Sequence, residues 1–206
     1  TEAVIHAEDR RFYDHSGVDY LSLGAALVHG LTRESLRGAS TITMQLASLL
    51  DQGLQSKKGR RSPGQKWAQI LRAREMERGW SKAEILEAYL NLATFRGEIQ
   101  GIAAASKGLF GKAPHGLDRA ESLVSASLIR SPNAQAAEVF RRALSLDQSM
   151  NWGVSEEAIH QKVRQVFLGP SFRPSVDLSP HVSRRLLPKS PSGSTVASTL
   201  DAALQR

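Results

Sequence analysis

Glu8 and Asp9 stand side by side near the start of the chain, followed by Phe12, His15 and Gly17. Adjacent carboxylates point in different directions on any regular element, so one can act on a reacting atom while the other fixes it. A general base needs a carboxylate whose proton affinity is raised by apolar walls or by another acid. Ile5, Phe12 and Tyr13 can supply such walls. The plainer reading is that Glu8 and Asp9 cap a helix or pair with Arg10 and Arg11. His15 shares a face with Glu8 if one helix runs through both. One His with one Glu is a poor metal-ligand set, which leaves His15 holding the turn at Gly17.

Two more segments carry chemistry. In Gly38-Ala39-Ser40-Thr41-Ile42-Thr43-Met44-Gln45 a glycine and a hydroxyl run open a helix. Backbone N–H groups and hydroxyls there can face an anion, or Ser and Thr are simply N-caps. Gln45, one turn on from Thr41, projects its amide from the same face. The third segment holds Lys57, Lys58, Arg60, Arg61, Lys66, Arg72, Arg74 and Arg78 against only Glu75 and Glu77, nearly all of the chain's net charge of +7. Such a patch implies nucleic acid, phospholipid headgroups or a phosphate-bearing substrate, or else a solvated helix face beside a basic loop. Arg and Lys on a helix can grip a diphosphate.

The elements that must position these groups are mainly helical. With 41% hydrophobic and 23% charged residues among 206, the composition is that of a folded soluble domain. The absence of cysteine excludes a thiol nucleophile, a zinc finger and disulfides. Tyr20 to Thr32 and Gly38 to Leu50 are uncharged but shorter than the roughly 20 residues a spanning helix needs. Asp19 precedes an apolar stripe of Leu23, Leu27, Val28 and Leu31, and Trp67, Ile70, Leu71 and Met76 form another in the basic segment. Ser81 with Glu84, and Asp118 with Glu121, are capping boxes. Ser155 opens a further helix. Asp51 to Gln65 reads as a mobile polar loop. Five of the eight prolines follow Gly169 among many serines. The expected organisation is therefore a domain over 1–168, a Pro/Ser-rich linker over 169–194 and the start of a further domain over 195–206. With neither an initiator Met nor a signal peptide, the chain reads as a fragment.

Taken together these segments resemble the peptidoglycan glycosyltransferase domain (glycosyltransferase family 51) of class A penicillin-binding proteins. The family's E-D-x-x-F-x-x-H-x-G motif is met by Glu8, Asp9, Phe12, His15 and Gly17, and G-x-S-T-I-T-x-Q-L by Gly38 to Leu46. S-K-x-E-I-L-x-x-Y-L-N is met from Ser81 to Asn91. Gly101 to Ala105 and Phe110-Gly111-Lys112 look like the next helix and turn, and Arg142 and Met150 fall near the spacing of a weak last motif. Four positions depart from the pattern. The third motif reads R-K-x-x-E in the family but Gln65-Lys66-Trp67-Ala68-Gln69 here, and Ser48 and Leu49 stand where a Lys and an Asn usually follow the second motif. Gln69 and Met44 look most like the penicillin-binding protein 1C branch. The segment Ser198 to Arg206 resembles the entry to a transpeptidase domain.

The resemblance implies a mainly α, lysozyme-like fold with a small mobile lobe, and polymerisation of lipid II into β-1,4 glycan strands with inversion and release of undecaprenyl diphosphate. It implies Glu8 as the catalytic base. The implied substrate-binding residues are Asp9, Phe12, His15, Gly38, Ser40, Thr41, Gln45, Lys66, Gln69 and Arg130. Lys57, Lys58, Arg60 and Arg61 are expected at the diphosphate, in place of the cation missing at Ser48. No cofactor is required by the sequence, although a divalent cation such as Mg2+ can sit on the donor diphosphate. The implied partners are lipid II, the nascent glycan, the membrane surface and a C-terminal transpeptidase domain, with no nucleic acid. The implied location is the periplasmic face of the bacterial inner membrane, held by an N-terminal anchor helix absent from this fragment.

A diphosphate leaving group needs cations more than a proton, so a Gln at 69 in place of the acid is compatible with turnover. It would lose charge assistance worth about 1–2 kcal/mol. The other readings are a catalytically weakened module that binds lipid II or glycan, and a lysozyme-like hydrolase. Replacing Lys57, Lys58, Arg60 and Arg61 together by Ala is expected to lower lipid II turnover at least ten-fold; unchanged turnover would remove these cations from the site.

Overall fold

A computed structural model describes residues 1–28, 40–54 and 62–169. Gly38, Lys57, Lys58, Arg60 and Arg61 lie outside the described residues, as do the expected linker beyond Gly169 and the segment 195–206. The mainly α expectation holds. The helices are α1 (Glu2–Glu8), α2 (Tyr20–Val28), α3 (Ile42–Leu50), α4 (Pro63–Gly79), α5 (Lys82–Leu92), α6 (Ile102–Ala105), α7 (Arg119–Arg130), α8 (Ala136–Met150) and α9 (Glu156–Leu168). A small antiparallel hairpin, β1 (Thr94–Arg96) and β2 (Ile99–Gln100), separates α5 from α6.

Local chemistry sets most boundaries. Ser81 and Asp118 close reciprocal capping boxes with Glu84 and Glu121, and Ser155 accepts from the Ala158 N–H. Ser62 and Gln65 form a third box around Pro63, so α4 begins inside the segment expected to be loop. Leu54, in a short 3-10 turn over Gln52–Leu54, is buried as well. Asp19 accepts from the Leu21 and Ser22 N–H groups at the head of α2 and is held by Arg11 at 2.5 Å.

The main core gathers Val4, Phe12, Ile42, Leu46, Ile85, Tyr89, Phe95, Leu123, Leu128, Val139 and Ile159 from α1, α3, α5 and the C-terminal helices. α3 packs on α4 and α5, and α7 packs on α1, α8 and α9. A smaller cluster of Val18, Met44, Ile70 and Ala73 joins the turn after α1 to α3 and α4. The stripe expected inward on α4 is divided. Ile70 and Met76 face the interior with Gln69 and Ala73, whereas Trp67 (63% exposed) and Leu71 (51%) share the outer face with Arg74 and Arg78.

Two glycine-dependent approaches matter for the site. Gly17 has φ +87°, and a Cβ there would lie 2.8 Å from the Ala73 carbonyl oxygen of α4. Gly101, φ +86°, lets the head of α6 approach the Asn91 carbonyl in the same way. Gly17→Ala combines a strained φ with a backbone clash and is expected to destabilise the domain by roughly 2–4 kcal/mol. A denaturant midpoint that stays within error of the parent, at unchanged slope, would refute this packing.

Candidate active site

Helix α1 stops at Glu8, with Asp9 as its C-cap, so the two carboxylates leave the helix in different directions. Asp9 is buried and accepts from His15 Nε2 (2.9 and 3.1 Å) and from the Ile42 N–H at 2.9 Å. It therefore places negative charge on the first turn of α3, where the helix dipole and open N–H groups favour an anion. Pairing with Arg10 or Arg11 is not seen: Arg10 donates to the His6 carbonyl and Arg11 binds Asp19. Because α1 ends at Glu8, His15 reaches Asp9 through a turn and not along a helix face.

The anion-binding turn expected at Ser40-Thr41 is thus occupied by the protein's own carboxylate. Thr41 is the N-cap of α3, accepting from the Met44 N–H and donating to the Gly17 carbonyl at 2.6 Å. Ser40 meets Lys66 Nζ at 2.7 Å, which brings the second and third motifs together.

Glu8 is held from α3 and α5. Gln45 Nε2 donates to Glu8 Oε2 at 2.9 Å, and Tyr89 donates its hydroxyl to Gln45 Oε1 at 3.0 Å. Tyr89 is 1% exposed, and burial together with Glu8 and Asp9 pushes its phenol pKa up, so it remains a donor. The donated proton fixes which end of the Gln45 amide faces Glu8. Glu8 Oε1 is buried with no hydrogen-bond partner among the described residues. Burial is the main force raising the Glu8 pKa above the ordinary carboxylate range. The Gln45 hydrogen bond, Arg130 and Arg142 pull it back down. Arg142 donates through Nη2 to Glu138, while its Nη1 is buried without a hydrogen-bond partner among the described residues.

Several residues expected to touch substrate are instead internal. Phe12 is fully buried, stacked edge-on to His15 and Tyr13 under the Lys82 ammonium. Asp9, Thr41 and His15 hydrogen-bond the elements that carry Glu8. Gln69 is the clearest correction. It is 0% exposed, and its Nε2 donates to the Met44 carbonyl (2.6 Å) and Ser48 Oγ (2.7 Å) on α3, so it braces that helix instead of reaching a substrate. Among the expected residues that are described, Glu8, His15, Ser40, Gln45, Lys66 and Arg130 keep part of their surface open.

Residue-type reasoning missed Tyr89, Lys82, Glu77 and Thr43. Lys82 donates to the His15 carbonyl and to Glu77 Oε1, both at 2.6 Å, and Thr43 donates to the same Glu77 oxygen at 2.6 Å. Lys82 and Tyr89 lie inside the Ser81 to Asn91 motif, which was the available signal. Tyr89→Phe is expected to release the Gln45 amide at a cost of about 0.5–1.5 kcal/mol in stability. With Glu8 less well bonded, its pKa rises further. The acid limb of any Glu8-dependent rate then moves to higher pH, and an unmoved limb would show that Tyr89 does not orient Gln45.

The family model described as Transglycosylase matches residues 1–156. The chain is 37% identical over 215 residues to penicillin-binding protein 1C of Escherichia coli, an alignment covering 100% of this chain and 27% of that protein. It is 38% identical over 139 residues to a biosynthetic peptidoglycan transglycosylase of Aeromonas hydrophila, covering 63% of this chain and 53% of that one. For the protein of the same description from Shewanella oneidensis the identity is 36% over 165 residues, covering 80% and 65%. The chain thus spans about a quarter of the first relative and between half and two thirds of the other two. With the motif residues brought together as described and the family model covering most of its length, the chain belongs to the transglycosylase family.

Proposed function

We propose that this domain is a peptidoglycan glycosyltransferase that polymerises lipid II into β-1,4 glycan strands. The observation that carries the reading is the Glu8 carboxylate: largely enclosed, oriented by Gln45, unpaired at Oε1 and raised in proton affinity. Such a group is poised to take a proton from an acceptor hydroxyl. The acceptor sugar's 4-hydroxyl oxygen attacks the donor anomeric carbon from the face opposite the diphosphate, and its proton passes to Glu8. The anomeric C–O bond breaks, and its electron pair leaves with undecaprenyl diphosphate, giving inversion.

The leaving group gathers negative charge, and Lys66, Arg130 and Arg142 are the cations at hand for it. Lys66 is set beside Ser40, and both arginines act electrostatically on Glu8. Among the described residues no three His, Cys, Asp or Glu side chains come together as a metal-ligand set; a divalent cation on the donor diphosphate would be held chiefly by the phosphates themselves. A lipid-linked donor places the reaction at a membrane surface, by resemblance the periplasmic face of the inner membrane. Among the described residues no helix is long and apolar enough to cross a bilayer. The names of the relatives, penicillin-binding proteins among them, support a parent chain that carries a transpeptidase domain.

Glu8 must be ionised to act, so turnover should rise with pH through its elevated pKa. Stability runs the other way: a folded pKa above the unfolded one contributes stability at low pH that is lost as pH climbs through the folded value. In detergent, labelled lipid II is expected to be polymerised by the parent chain. Glu8→Gln should reduce the rate at least about 100-fold. Polymerisation by Glu8→Gln at the parental rate would overturn the base assignment. Cleavage of finished peptidoglycan without consumption of lipid II would identify a hydrolase, and saturable lipid II binding without product would identify a binding module.

A further inference from the structure

Two of the positions that depart from the family pattern touch each other. Gln69 on α4 and Ser48 on α3 are both buried, 0% and 5% exposed, and are joined by the 2.7 Å Nε2 to Oγ hydrogen bond. The amide's other proton goes to the Met44 carbonyl at 2.6 Å, next in sequence to Gln45, which orients Glu8. We propose that Gln69 and Ser48 form one neutral unit that positions α3, and through Gln45 the base, standing where the family pattern puts an acid and a lysine. Gln69 is thus a positioning residue and not a weakened catalytic acid.

The chemistry of the pair supports this. An amide nitrogen donates two protons, and both are used here. A carboxylate at 69 has none at neutral pH, so it would face the Met44 carbonyl oxygen as a buried, uncompensated charge. Gln69 Oε1 already lacks a partner among the described residues, and although the Ser48 hydroxyl can turn to donate to a carboxylate, the Met44 carbonyl has no proton to give. A lysine at 48 is the cation that would make an acid at 69 tolerable. The two changes are therefore compatible together and incompatible singly. The inference about catalysis rests on the proposed reaction, but the coupling of the two positions does not.

The test is the cycle Gln69→Glu, Ser48→Lys and the double variant, read by lipid II turnover across pH and by thermal midpoint. Gln69→Glu alone is expected to fall at least ten-fold below the parent at neutral pH. Its ratio to the parent should recover as pH falls and the introduced acid regains a proton. The double variant should return to within about three-fold, with a ratio that no longer varies with pH. Gln69→Glu matching or exceeding the parent at neutral pH, or a double variant no better than the worse single, would overturn the proposal. If the parent consumes no lipid II, the functional reading fails instead. The thermal midpoints then decide the pairing: a double variant more stable than the sum of the single effects supports it, and additivity refutes it. Should Gln69→Glu not fold, Ser48→Ala serves, keeping the Met44 bond while removing one acceptor. A several-fold lower kcat at constant KM supports positioning, and an unchanged kcat refutes it.

Discussion

The carboxylate of Asp9 on the first turn of α3 is the interaction from which the rest of the site follows. It ties the end of α1 to the start of α3 across more than thirty residues of sequence, and it holds His15 on the same oxygens. With that junction made, Gln45, one turn into α3, meets the neighbouring carboxylate. Glu8 and Asp9 are consecutive residues that meet opposite helix polarities. Glu8 ends α1, where the backbone presents carbonyls, and Asp9 faces the N–H groups of α3. One peptide unit thus separates a carboxylate saturated with donors from one that keeps an unsatisfied oxygen.

The protein buries a second glutamate in the opposite manner. Glu121, 1% exposed, receives Lys112 and Lys162 ammoniums at 2.8 Å each and the Asp118 N–H at 2.9 Å. A buried charge compensated on both oxygens is a structural joint between α7, α9 and the segment after α6. Glu8 has one amide and more distant arginines. The difference in compensation, and not the residue type, separates a joint from a reactive group.

Much of this was legible in the sequence. The helix starts at Ser81, Asp118 and Ser155 were carried by local capping chemistry, and the different directions of Glu8 and Asp9 followed from their adjacency. What was not legible depended on tertiary placement. The Ser40-Thr41 turn looked open because the anion that fills it lies more than thirty residues earlier. Gln69 looked like a substrate ligand because its motif position names an acid, while its burial is decided by how α3 packs on α4. Trp67 and Leu71 were counted inward because they are apolar, yet the α4 face toward the core is set by Gln69, Ile70 and Ala73. The start of α4 was hidden because a Ser-Pro pair in a polar run reads as loop until the capping box is seen.

Lys82 has a consequence for which sequences can occupy this scaffold. Its ammonium serves the His15 carbonyl, Glu77 and the face of Phe12, 4.4 Å from the ring centroid, so a single point charge joins the Ser81 to Asn91 motif to the first motif and to α4. An ammonium reaches all three from one nitrogen, whereas arginine spreads its donors over a flat fork. At most surface sites lysine and arginine are freely exchanged by mutation, but here the exchange is closed by geometry. The scaffold can drift in charge around the domain while this one cation stays chemically fixed.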